Sequence, residues 1–360
     1  MKHIHEQDVV TVREIPQTRL AAIAWLVLAV VVAAMACWEW RMRQLGLVVG
    51  DLEDSKSAWS VERRRLESRD HDGVAILGGS RILFDTNLDV WQELTGRRPV
   101  QLAMPGQSGQ RVLADIAVNS RFDGLVLIDM TPEQFFRTGP GLPAFEGVLD
   151  YWEDEGPAKR ASHQLGLVLS RHFAFLDTQY SLSELVDQLD LPNRGKIGGP
   201  YLRPWKLSEV YADRQYVLWR QIENNEQLRS HAIRVWTNRD PPAPSEQVIA
   251  RICGDVRDSV AKIRARGGEV VFIRPPSAGA YYEREQRTVP RKTSWDRILR
   301  ESGTFGIHFE DYPDMQGLNT PELSHLTRED AARYTRAYVG VLRERYGWLR
   351  PGAELHPRAR

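Results

Sequence analysis

Short apolar segments alternate with helical patterns over most of the chain, and this alternation constrains the fold more than any other feature. Strands that are separated by helices pair in parallel, because each crossover helix returns the chain to the same end of the sheet. The pattern therefore predicts an α/β domain, in which helices cover both faces of a five-stranded parallel sheet. The predicted strands are residues 74–77, 100–104, 124–130, 269–274 and 307–310.

The alternation stops between residues 139 and 245, where helical patterns at 163–175, 181–189 and 208–231 are separated by glycine and proline. Because strand patterns resume afterwards, we expect a helical insertion that packs over or beside the sheet, rather than a separate domain. The α/β domain then extends over residues 73–348, and residues 349–360 form a C-terminal tail.

Residues 20–38 are almost entirely apolar, and about 20 such residues span a bilayer. Trp38 and Trp40 stand where aromatic side chains favour the membrane interface. We expect a single-pass anchor in the inner (cytoplasmic) membrane and a juxtamembrane stalk at 39–72. A cleaved signal peptide is the alternative, but the run is long for that purpose and no small-residue cleavage site precedes a polar start. A buried core helix is a further alternative.

The charge difference across the apolar run is weak, with Arg19 before it and Arg41 and Arg43 after it. We place the short tail, residues 1–19, in the cytoplasm, and the larger domain on the periplasmic or extracellular side.

The composition excludes several classes of function. Lys and Arg total 48 and equal Asp and Glu, so the net charge is zero and nothing indicates a nucleic-acid partner. The basic run 63–65 is typical of a solvated helix face. The two cysteines form no disulfide framework, and the histidines of the insertion lack metal-ligand spacing. No phosphate-binding glycine loop is present, so we expect neither a metal nor another cofactor.

Gly78-Gly79-Ser80 follows the first predicted strand and precedes a helical pattern. Glycines allow a sharp turn, and a hydroxyl at a helix N-terminus lies where free N–H groups favour negative charge. Ser80 is therefore a candidate nucleophile. A serine that only caps the helix is the alternative.

Glu322 stands three residues before His325, just ahead of the last predicted helix. A carboxylate at this spacing can orient an imidazole through one ring nitrogen and leave the other to accept a serine proton. The alternatives are a surface or capping histidine and a solvated loop carboxylate.

These two motifs, in this order, resemble those of the SGNH (GDSL-like) hydrolase superfamily over residues 73–346. The resemblance implies a flavodoxin-like sheet and the hydrolysis or transfer of acyl esters. Ser80 would be the nucleophile, His325 the general base and Glu322 its orienting acid. The N–H groups of Ser80 and Gly106 would bind the oxyanion, Gly106 being the glycine after the second strand.

Two positions depart from the family pattern: Glu322 replaces the usual aspartate, and residues 127–132 lack the asparagine expected after the third strand. The chain looks most like membrane-anchored members from bacterial envelope and alginate O-acetylation systems. This implies an esterase or O-acyltransferase, with acetyl as the expected acyl group, acting on an exported polysaccharide beside a membrane acyltransferase. A catalytically inactive scaffold or glycan-binding subunit is the alternative, and an ordinary flavodoxin-like binding module is a third.

Arg81 and Arg274 lie at the carboxyl ends of predicted strands, where ligands bind in parallel sheets. They are candidates for holding an anionic or sugar ligand, and structural pairing with Asp85 or Asp129 is the alternative. The segment 281–287 is polar and aromatic, as in carbohydrate-facing loops, although a solvated helix has the same composition.

Overall fold

The computed structural model describes residues 19–68, 73–137, 147–181, 206–238 and 240–353. The chain divides into two compact units, residues 1–47 and 48–360. The first contains helix α1 (Leu20–Gln44), which is long and apolar enough to cross a membrane and buries none of its apolar window. The predicted span, residues 20–38, lies within α1, and residues 1–18 of the predicted tail lie outside the described residues.

The second unit contains the predicted parallel sheet. Its strands are β1 (Val74–Leu77), β2 (Val100–Gln101), β3 (Leu125–Asp129), β6 (Glu269–Arg274) and β7 (Phe305–His308). They lie in the order β2-β1-β3-β6-β7, and every pairing is parallel. The α/β architecture with five parallel strands is therefore confirmed. Leu77 pairs with Ile128, so β1 and β3 end side by side.

Helices cover both faces of the sheet. Before the insertion they are α2 (Lys56–Glu67), α3 (Ser80–Asp85), α4 (Leu88–Thr95), α5 (Gln110–Asn119) and α6 (Pro132–Phe135). The insertion adds α7 (Val148–Glu153), α8 (Pro157–Ser170), α9 (Arg220–Asn224) and α10 (Glu226–Thr237). The remaining helices are α11 (Glu246–Arg264), α12 (Gly279–Thr288), α13 (Trp295–Ser302) and α14 (Arg328–Arg345).

Alternate residues of each strand point to opposite faces, so the sheet divides the core into two layers. Ala75 and Leu77 pack in the layer formed by α2, α5, α11 and α13. Val74 and Ile76 pack in the other layer, with α3, α4 and α14. Because the described helices cover both faces, a site on the sheet itself is expected at the ends of its strands.

Residues 56–67 belong to the α/β domain, so the prediction of a stalk over 39–72 is wrong. Trp59 is fully buried, and its indole N–H donates to the Leu102 carbonyl at 3.0 Å. Arg63 is also buried and pairs with Asp115 at 2.9 Å, rather than lying on a solvated face. Helix α2 therefore covers the sheet next to β2.

The insertion is not wholly helical. Within the predicted helix 208–231, residues Ser208–Val210 (β4) and Tyr216–Leu218 (β5) form an antiparallel hairpin. Its turn is closed by the Tyr211 N–H, which donates to the Gln215 carbonyl at 2.9 Å. The side chain of Arg214, a residue with φ of +59°, pairs with Asp54 at 2.6 Å. This ion pair joins the hairpin to the segment before α2. All but residue 181 of the predicted helix 181–189 lies outside the described residues.

Candidate active site

The turn between β1 and α3 places Ser80 at the first residue of the helix. Gly78 has φ of +141°, a conformation that favours glycine. A Cβ there would lie 2.4 Å from the Cβ of Asp129. The Gly79 N–H donates to Asp129 Oδ2 at 3.2 Å. The end of β3 therefore holds the turn that carries Ser80.

We expect Gly78→Ala to destabilise the fold by more than 2 kcal/mol, because the added methyl group meets Asp129 and the backbone is strained. The matched control is Gly254→Ala on α11, where a Cβ meets nothing within 4 Å. That change should stabilise the helix by about 0.5–1 kcal/mol. Urea denaturation of both variants measures the difference. Equal free energies of unfolding would contradict the close approach of β1 and β3.

Ser80, His325 and Glu322 form a continuous hydrogen-bonded chain. His325 Nε2 lies 2.8 Å from Ser80 Oγ, and His325 Nδ1 lies 2.9 Å from Glu322 Oε1. The imidazole is buried, and its ring centroid is 4.3 Å from that of Phe84. The three predicted side chains therefore have the connections that activate a serine: a base on the hydroxyl and an acid behind the base.

Glu322 is fully buried, so a solvated loop carboxylate does not describe it. Its Oε1 accepts the backbone N–H of His325 at 2.5 Å and that of Ser324 at 3.3 Å. Its Oε2 accepts the indole N–H of Trp236. These donors compensate the burial of a carboxylate, and they fix the oxygen that faces His325.

Trp236 is the site residue that the sequence does not indicate. It lies on α10 in the insertion, 86 residues before Glu322. Its ring centroid is 5.9 Å from that of His325. No motif spacing connects the two segments, and only the packing of the insertion brings the indole to the carboxylate.

Gly106 lies in the turn after β2, with φ of +68°. The Met104 N–H donates to the Gly78 carbonyl at 2.9 Å, so this turn lies beside the Ser80 turn. Within the described part of the chain, neither the Ser80 nor the Gly106 N–H donates a hydrogen bond. Both are available as oxyanion donors.

Asp129 ends β3, in the region where the family asparagine is expected, and its carboxylate accepts hydrogen bonds rather than donating them. Oδ2 accepts the Gly79 N–H and, at 3.0 Å, the Thr131 hydroxyl. Oδ1 is buried and has no hydrogen-bond partner among the described residues. Burial raises the pKa of Asp129 to about 6, although Arg81 lowers it.

We expect Asp129→Asn to change how stability depends on pH. A carboxyl with a raised pKa binds protons more tightly in the folded state, so the wild type loses stability as the pH rises from about 4 to about 6. As the pH rises through that range, the free energy of unfolding of the variant should increase by roughly 2–3 kcal/mol relative to that of the wild type. Urea denaturation of both proteins from pH 4 to pH 7 measures this, and parallel curves would contradict it.

Arg81 and Arg274 are buried, and both guanidinium groups pair with Glu285 on α12 at 2.8–2.9 Å. This arrangement does not support a role in holding substrate. The pairing favours the structural alternative, with Glu285 as the partner rather than Asp85 or Asp129. The segment 281–287 lies within α12 and buries Tyr281 and Glu285, so it is neither a loop nor a fully solvated helix.

The structure thus brings Ser80, Glu322 and His325 together, with Gly106 on the adjacent turn. Among the described residues, no group of three or more His, Cys, Asp or Glu side chains is placed to hold a metal ion. No model of a known protein family matches the chain, and a search of curated proteins finds no similar one. Function is therefore inferred from the geometry of the site.

Proposed function

We propose that this chain is a membrane-anchored serine esterase or O-acyltransferase of the SGNH type. Its proposed substrate is an envelope or exported polysaccharide, with acetyl as the expected acyl group. The observation that carries the proposal is the chain of contacts from Ser80 Oγ through the His325 imidazole to Glu322.

The contacts support the following steps. His325 Nδ1–H donates a hydrogen bond to Glu322 Oε1, which leaves Nε2 free to accept the proton of Ser80. Ser80 Oγ then attacks the acyl carbonyl carbon, and the N–H groups of Ser80 and Gly106 stabilise the oxyanion. His325 returns the proton to the departing alcohol as its bond to the acyl carbon breaks.

A second addition releases the acyl group from Ser80. Water or a sugar hydroxyl gives its proton to His325 Nε2 and attacks the acyl carbon, and the proton then returns to Ser80 Oγ. The same residues therefore serve hydrolysis and transfer, and the acceptor alone distinguishes the two reactions. Trp236 acts as a positioning residue, because its indole N–H holds Glu322 Oε2.

The placement and partners belong to the same proposal. Helix α1 is apolar and long enough to anchor the chain, and we place the α/β domain on the periplasmic or extracellular side of the inner membrane. A membrane acyltransferase is the proposed donor of the acyl group. The resemblance to envelope O-acetylation proteins supports both assignments.

A fluorophosphonate probe tests the nucleophile directly, since it reacts with an activated serine. We expect stoichiometric labelling of the full-length protein, and complete loss of labelling in Ser80→Ala. Ser108→Ala is the matched control, since Ser108 lies in the turn after β2 near Ser80 and should label normally. Mass spectrometry of the labelled peptide identifies the site. Absence of labelling in the folded wild type would contradict the proposal.

The second candidate is a catalytically inactive scaffold or glycan-binding subunit. One observation favours it: Asp129 supplies an acceptor where the family has an asparagine donor. A protein of this kind would bind an acylated polysaccharide without reacting with the probe. The labelling experiment therefore separates the two candidates.

A further inference from the structure

A cavity of about 480 Å³ lies beside the candidate triad, and its size is typical of small-molecule sites. It is formed by α6, α10, α12 and the segment before α11. Its lining includes Phe136, Val235, Pro241, Pro242, Val248 and Val289.

Two lining residues connect the cavity to the reacting groups. The indole N–H of Trp236 donates a hydrogen bond to Glu322 Oε2. Gln134 Oε1 lies 2.5 Å from the position that a Cβ would take at Gly79, the residue before Ser80. A group bound in the cavity would therefore be close to the Ser80 turn.

The lining carries three charged side chains, and two of them, Glu133 and Arg284, neutralise each other. Arg284 Nε pairs with Glu133 at 2.6 Å, and another nitrogen of the same guanidinium donates to the Trp236 carbonyl at 2.6 Å. Arg137 donates to the Gly106 carbonyl at 2.9 Å. The Glu133–Arg284 pair thus presents no net charge to a ligand, and Arg137 is an exposed residue of the lining.

Two of the remaining polar side chains of the lining are also engaged, and two are not. The Thr288 hydroxyl donates to the Arg284 carbonyl at 2.9 Å, and Ser245 Oγ accepts the Val248 N–H at 3.4 Å. The Gln134 amide and the Tyr281 hydroxyl make no hydrogen bond within the part of the chain described here. A sugar ring would find few partners for its hydroxyls, and unpaired polar groups are costly to bury.

We propose that this cavity binds the hydrocarbon part of an uncharged acyl group longer than acetyl. The inference rests on the serine chemistry of the proposed function, and it replaces acetyl, the acyl group expected from the resemblance, with a longer one. The apolar side chains of the lining match an alkyl chain. Each methylene group that enters the cavity should increase the binding constant about fourfold.

The test compares p-nitrophenyl acetate and hexanoate as substrates of the full-length protein in lipid nanodiscs, since the alkyl chain of a detergent would compete. We expect kcat/KM to be roughly 10- to 100-fold higher for hexanoate. Val248→Trp fills the cavity and should abolish this preference by lowering kcat/KM for hexanoate. Ala250→Trp is the matched control, because Ala250 is an exposed residue of the same helix outside the lining. It should keep the wild-type preference.

A binding measurement separates failure of this inference from failure of the proposed function. Methyl hexanoate, but not methyl acetate, should raise the melting temperature of Ser80→Ala, and Val248→Trp should remove the shift. Binding without any ester cleavage by the wild type would refute the esterase and support the cavity assignment. Ser80-dependent acetate hydrolysis with no chain-length preference and no shift would refute the cavity assignment alone.

Discussion

His325→Ala should lower kcat for acyl-ester hydrolysis by about 10⁴- to 10⁶-fold, with a small change in KM. Among the residues that the structure describes, His325 is the one hydrogen-bond partner of Ser80 Oγ, at 2.8 Å, so the variant removes the group that is placed to accept its proton. Members of a nucleophile–base pair act as a unit, so removing one loses most of the chemical acceleration. Initial rates over a range of substrate concentrations separate kcat from KM.

The matched control is His172→Ala, since His172 is exposed and lies in the insertion. This variant should retain the wild-type kcat. Because His325 is buried, the melting temperature of His325→Ala must also be measured, so that lost activity is not confused with unfolding. A folded His325→Ala protein within tenfold of wild-type activity would remove His325 from the mechanism.

The sequence predicts the central sheet well, because its strands are short apolar runs bounded by glycine, proline or polar residues. The predicted bounds of β1 and β6 are those that the structure shows. Both strands are buried on two faces, and such strands lack the polar alternation that would expose one face. Local composition therefore carries most of the information about them.

The α2 segment shows where local composition fails. Its three consecutive arginines suggest a solvated helix, yet Arg63 is buried because Asp115 on α5 neutralises it. Trp59 is buried because β2 ends beneath it and offers the Leu102 carbonyl. Both partners are more than 40 residues away in sequence, so spacing within the segment cannot reveal them.

The candidate site likewise contains residues that the sequence predicts and residues that it does not. Ser80 and His325 lie in short motifs whose chemistry is visible in the sequence, and the parallel sheet brings both motifs to its carboxyl end. Trp236 and the cavity depend on how the insertion packs, which residue spacing does not specify. Arg81 was predictable as a buried or ligand-binding group, but its partner Glu285 lies 204 residues later.

Glu285→Ala should destabilise the fold by about 3–5 kcal/mol, the largest loss of stability that we expect from a single side chain. Glu285 is buried, and its Oε2 accepts from Arg81 at 3.2 Å, from Arg274 at 2.8 Å and from the Ser277 hydroxyl at 2.7 Å. Its Oε1 lies 2.9 Å from Arg81 Nη1 in the ion pair. The variant leaves two guanidinium groups in the interior without their carboxylate. Urea denaturation measures the loss.

Activity should fall together with stability in this variant. Arg81 follows Ser80 directly and donates to Ser324 Oγ at 3.3 Å, so the cluster around Glu285 joins the nucleophile turn to the histidine loop. Glu283→Ala is the matched control, since Glu283 is exposed on the same helix and should change stability by less than about 0.5 kcal/mol.

Burial alone would raise the pKa of Glu285, but Arg274 and Arg81 hold it below its ordinary value. The stabilisation from Glu285 is therefore present above about pH 4 and lost as the pH falls further. As the pH falls, the free energies of unfolding of the wild type and Glu285→Ala should therefore converge. A constant difference between them down to pH 2 would contradict an ionised Glu285.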